Sequence, residues 1–155
     1  MEYRFRDIRV NSDLRQIDVA SVISISRGAY ANIEAETANI KLRLLLKYCN
    51  SFNLNLDYVC DLTTIPTYQN LKKIDSIDKN VLAERLSIIE KEQHKASYEI
   101  ARELGVSNST YSLYKSSNRD SVIQTLMLKY LAKTYGYSMD WLIGRSDIKY
   151  IKDQL

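Results

Sequence analysis

His94, Cys49 and Cys60 are the residues of this 155-residue chain best suited to metal or nucleophilic chemistry, and their settings argue against it. His94 is the only histidine and lies in the charged run EKEQHKAS with no second ligand or base beside it, so a solvated surface position is expected. Cys49 and Cys60 have neither CxxC spacing nor a neighbouring histidine, which reads as two small buried thiols in a reducing compartment. Glu34 and Glu36 lie two apart, do not share a helical face, and so make no acid–base pair. There is no GxSxG, Walker loop or HExxH. An enzyme is not expected, and neither a metal, a cofactor nor a small-molecule site.

The remaining chemistry is hydrogen bonding by short polar side chains in two similar stretches. Residues 19–34 read VASVISISRGAYANIE and residues 100–115 read IARELGVSNSTYSLYK, 81 positions apart. Arginine can make a two-pronged contact to guanine in the major groove of DNA, and asparagine to adenine. Arg27, Asn32 and Asn108 are those types. Aligning Ala20 on Ala101 pairs Phe5 with Leu86, Ile8 with Ile89, Ile23 with Leu104, Tyr30 with Tyr111 and Ile33 with Tyr114. After a two-residue slip near Ser117 to Ser121 the pairing resumes, with Asp57 on Asp140 and Tyr58 on Trp141. The chain therefore reads as two copies of one unit of about 60 residues.

The elements that must hold these side chains are short helices. A composition of 45% hydrophobic residues with four glycines and the single proline Pro66 favours long unbroken helical stretches. Phe5 and Ile8 mark a first helix and Gln16 to Ile23 a second; Ser26 caps a third through about Glu34, and Ser107 does the same in the second copy. Fourth and fifth helices are expected at about 40–51 and 56–62, then at 122–135 and 139–143, with Asn55 and Ser138 as caps. Gly105 suits a left-handed helix end, whereas Ser24 fills that place less comfortably. The organisation is then a first domain over 1–62, a linker over 63–77, a second domain over 78–146 and a tail over 147–155. No apolar run approaches the roughly 20 residues of a membrane span, and the first residues are charged rather than signal-like, so a cytoplasmic protein is expected. Net charge is +3, with eight basic and eight acidic residues before Thr63 and fourteen and eleven after it, so any positive field is local.

Each copy resembles the Cro and phage-repressor type of helix-turn-helix domain, the XRE-like family, on the residues RDIRVNSDLRQIDVASVISISRGAYANIE with NLNLDYV in copy one, and IARELGVSNSTYSLY with KYLAKTYGYSMDWLIGRSD in copy two. The resemblance implies an all-α protein of two lambda-repressor-like five-helix domains in tandem, whose second and third helices form the DNA-reading pair. With Tyr30, Ile33, Tyr111 and Tyr114 turned inward, the outward face of the third helix is Arg27, Gly28, Ala31 and Asn32 in copy one, and Asn108, Ser109, Ser112 and Leu113 in copy two. Gln16 stands at the family position that commonly braces a phosphate and a reading-helix residue, and Ser97 stands there in copy two. Ser26 and Ser107 are candidate phosphate contacts. Arg119 and Lys115 make the later loop of copy two more basic than AETAN, where Glu36 would face phosphate unfavourably.

In the family an arginine of the first helix commonly pairs with a glutamate closing the third; here those places are Arg9 and Glu34. Their counterparts in copy two are Glu90 and Lys115, with both charges reversed, which keeps the attraction where a single change would oppose like charges. The expected function is a sequence-specific DNA-binding transcriptional regulator, repressor-like, using one or both third helices on double-stranded DNA. Both helices can enter successive major-groove faces, about 34 Å apart. Alternatively one domain reads while the other pairs chains into a homodimer through exposed apolar residues near the fifth helices. The competing reading is a protein-interaction module, an antirepressor or scaffold that keeps the fold without strong DNA binding.

Overall fold

The computed structural model describes residues 2–116 and 123–154. Among them are ten α-helices and no strand, divided between two compact units: one runs to Asp75 and includes Gln154, the other spans Ser76–Asp153. The first unit holds α1 (Phe5–Asn11), α2 (Gln16–Val22), α3 (Arg27–Glu34), α4 (Leu42–Phe52) and α5 (Leu56–Val59). The second holds α6 (Lys79–Glu92), α7 (Ser97–Glu103), α8 (Asn108–Tyr114), α9 (Thr125–Tyr135) and α10 (Met139–Leu142). The fourth and fifth helices start later or stop earlier than hydrophobic spacing suggests. Cys60 and Ile143 are buried and still donate to the carbonyls of Leu56 and Met139, but the left-handed Asp61 and Gly144 that follow end each helix.

In unit 1, α2 and α3 cross over a tight turn, with Ala20 fully buried where the two helices meet. Val19, Ile23, Tyr30 and Ile33 face a core completed by Leu45, Leu46 and Tyr48 of α4 and by Leu56 and Val59 of α5. Phe5 joins it by meeting the Tyr48 ring edge-on at 5.0 Å. The helix starts are fixed by local chemistry: Ser26 Oγ accepts from the Ala29 amide, Asn55 Oδ1 from the Tyr58 amide, and the Asp18 carboxylate from the amide of Arg15. Residues 63–75, expected as a connector, are tied to this unit. The amide and side chain of Asn55 donate to the carbonyls of Pro66 and Ile65, and the Asn50 side chain donates to Ile74.

Unit 2 is built from the same kinds of bond. Asp78 caps α6 by accepting from Asn80 and Val81, Glu99 accepts from the Ala96 amide before α7, and Ser107 and Ser138 cap α8 and α10. Leu86, Ile89, Ile100, Ala101, Tyr111, Leu128, Leu131 and Leu142 form its core. Trp141 is buried beneath the Arg85 guanidinium, 4.9 Å above the ring. Of the residues expected as a tail, those up to Asp153 fall in this unit. The Ser138 amide donates to Lys149, Tyr137 and Tyr150 form an isolated antiparallel bridge, and Ile151–Asp153 closes in a 3-10 turn.

Candidate nucleic-acid interface

The third helix of unit 1 turns one face inward and leaves the other open. Tyr30 and Ile33 are buried, whereas Ser26, Arg27, Gly28 and Asn32 are exposed and Ala31 half-buried. Arg27 makes no hydrogen bond or ion pair among the described residues. A Cβ added at Gly28 would meet nothing within 4 Å, so the first turn of α3 offers an open backbone surface. Ser26 uses its oxygen on the Ala29 amide as the cap. Tyr30 points its hydroxyl at the Phe5 carbonyl, 3.5 Å away, and burial raises its pKa well above the ordinary phenol value.

Beside this face, Arg6, Arg9, Gln16, Ala31, Glu34 and Ala35 line a cleft of about 280 Å³. Arg9 holds Glu34 with two parallel bonds, Nε to Oε2 at 2.8 Å and Nη2 to Oε1 at 2.7 Å, and also donates to the Leu14 carbonyl. The hydrogen bonds from Arg9 keep the Glu34 carboxyl below the usual carboxylate range in spite of its burial. Gln16 Nε2 lies 3.5 Å from Glu34, which joins the start of α2 to the end of α3. Glu36 accepts the amides of Glu2 and Tyr3 at 2.8 and 3.1 Å, which ties the loop after α3 to the first residues of the chain.

In unit 2, Asn108, Ser109 and Ser112 are exposed and Leu113 half-buried. Ser107 accepts from the Thr110 amide and donates to the Thr110 hydroxyl. Ser97 donates its hydroxyl proton to Glu90, an internal use. Glu90 also accepts from Lys115 at 2.6 Å and from the Tyr111 hydroxyl at 3.2 Å, binding α6 to α8. Arg119 lies outside the described residues.

Helices α2 and α3, joined by a tight turn and crossing over a buried alanine with one face of α3 exposed, have the geometry of a helix-turn-helix. Residues 5–59 match the helix-turn-helix family model. The match runs from α1 through α5, so the first unit is similar to helix-turn-helix domains over all five of its helices. No curated protein and no solved structure matches the chain. Among the described residues no helix is long and apolar enough to cross a membrane.

Two features beside the helix-turn-helix escaped the sequence reading. Arg6 lines the cleft with Gln16 and Ala31, and Arg43 sits near the start of α4, both exposed. The sequence signal was only that each stands four places or fewer from another cation, Arg9 and Lys47. A second finding concerns where the apolar residues lie. Leu56, Val59, Met139 and Leu142 of the fifth helices are buried, and the exposed large apolar side chains are Val10, Ile17, Val22, Tyr98 and Leu126. In α5 Tyr58 stays half-buried, whereas in α10 Met139, Trp141 and Leu142 are all buried.

Proposed function

We propose that the chain is a sequence-specific DNA-binding regulator of the Cro and phage-repressor type, repressor-like, that inserts α3 into the major groove. The observation that carries this is the exposed, unpaired Arg27 beside Asn32, on a helix face without acidic residues, within the residues that match the helix-turn-helix family. Gln16 and Ser26 stand where they can meet the flanking phosphates. Selection of bound sequences followed by titration tests it. Arg27→Ala should cost about 1–3 kcal/mol at one base pair of the selected site and leave binding to unrelated duplex nearly unchanged. Equal weakening on every sequence would refute a reading role for Arg27.

Unit 2 is in this reading a second copy of the same domain. Support comes from backbone positions that side chains rarely adopt. Asp13 and His94 have φ of 55° and 54°, and Ser24 and Gly105 of 60° and 73°, both pairs 81 apart. Asn53 and Gly136, then Asp61 and Gly144, are left-handed too, and both pairs are 83 apart, matching the two-residue slip of the alignment. The scaffold alternative draws on one specific observation, the exposed Leu126 beside a groove lined by Leu104, Met127 and Tyr130. Salt dependence separates the two, because a scaffold gives a slope near zero on bulk duplex.

A further inference from the structure

The basic residues around α3 fall into two kinds. Arg4, Arg9 and Arg15 are held by Asp61, Glu34 and Asp18. The side chains of Arg6, Lys41 and Arg43, by contrast, have no ion pair or hydrogen bond among the described residues, and all three residues are exposed. The Lys47 ammonium donates to Ser24 Oγ at 2.9 Å, which sets that side of α4 against the turn leading into α3. Arg43 is one helical turn before Lys47 and shares its face, and Lys41 is the N-cap of the same helix. Arg6 reaches the other edge of α3 through the cleft it lines with Ala31. Free cations thus flank the reading helix on both sides, as backbone phosphates on either side of a major groove require.

The matching positions of unit 2 are Ser87 for Arg6, Gln124 for Lys41, Leu126 for Arg43 and Tyr130 for Lys47. The alignment is firm here, because α4 and α9 each have eleven residues and each ends in a left-handed residue. All four cations become neutral, although the second half of the chain holds fourteen basic residues against eight in the first. Composition therefore runs opposite to the change. Gln124, Leu126 and Tyr130 line a groove of about 400 Å³ that also takes in Leu104 and Met127, a surface that offers phosphate little. On the reading that this protein binds DNA, we infer that the duplex is held by unit 1 alone, with Arg6, Lys41 and Arg43 as phosphate contacts, and that the corresponding face of unit 2 stays off the DNA.

Placing an acid at equivalent positions tests this in the full-length chain. Lys41→Glu and Arg43→Glu are compared with Gln124→Glu and Leu126→Glu, by fluorescence anisotropy on a labelled duplex of mixed sequence across a salt series. The unit 1 variants should bind about tenfold or more weakly, with a shallower dependence of log K on log salt, while the unit 2 variants stay within about twofold of the parent. Lys41→Gln, which removes charge without adding any, should lower the slope by about one. Thermal melts check folding, and all the positions are exposed. Weakening by Gln124→Glu or Leu126→Glu as large as that by the unit 1 pair would overturn the inference. Unit 1 variants that bind like the parent would overturn the phosphate assignment while leaving DNA binding intact. A parent chain with no salt-dependent binding would instead remove the proposed function, and this inference with it.

Discussion

Arg9 and Glu34 show how much one pair of side chains can hold. Their side chains are 17% and 6% exposed, between a surface pair and a buried one, and the bonding is bidentate. Arg9→Ala strands a half-desolvated carboxylate and should cost about 2–3 kcal/mol in chemical denaturation. Unit 2 carries the opposite arrangement, with Glu90 on α6 and Lys115 just after α8. The double variant Arg9→Glu with Glu34→Lys should therefore recover at least half of that loss, and a double variant no better than the sum of the singles would contradict the equivalence. Acid gives a second measurement. Because Glu34 titrates below its unfolded value, the stability it adds is complete above about pH 4.3 and is lost as pH falls through the lower folded value. Glu34→Gln should flatten the denaturation midpoint over that acidic window.

At the scale of elements, what was legible in the sequence followed from chemistry inside one or two turns. Ser26, Asn55, Ser107 and Ser138 act as caps because a short oxygen-bearing side chain before an apolar run has few other uses. The inward tyrosines followed from helical spacing. The phosphate-facing role proposed for Arg43 was not legible, since it depends on which side of α4 meets the turn at Ser24, a contact between residues 23 apart. The destination of Glu36 was hidden for the same reason, because its partners Glu2 and Tyr3 lie more than thirty residues away. The turns themselves yield an expectation. Ser24 and Gly105 occupy equivalent left-handed positions, so Ser24→Gly should stabilise unit 1 by about 1 kcal/mol and Gly105→Ser should destabilise unit 2 by about as much, read as opposite shifts in melting temperature.

For the whole molecule, the uneven distribution of free cations bears on how much sequence one chain reads. If only unit 1 meets the duplex, selection from a random duplex pool should return one short motif per chain, with no second motif at a fixed spacing. Recovery of two motifs at constant separation would mean that both units read. On the proposed duplication, the same arrangement of helices carries different surfaces. Helix crossings, caps and left-handed turns involve few residues, and these recur at 81 or 83 positions, while the solvent-facing side chains of α4 and α9 are free to differ in charge.

The rare residues are sorted between the units as well. Cys49 and Cys60 are buried in unit 1, and Trp141, the sole tryptophan, is buried in unit 2. The unaltered polypeptide therefore carries a separate spectroscopic probe for each half: indole emission follows the opening of one, and the rate of reaction with a maleimide dye follows the opening of the other.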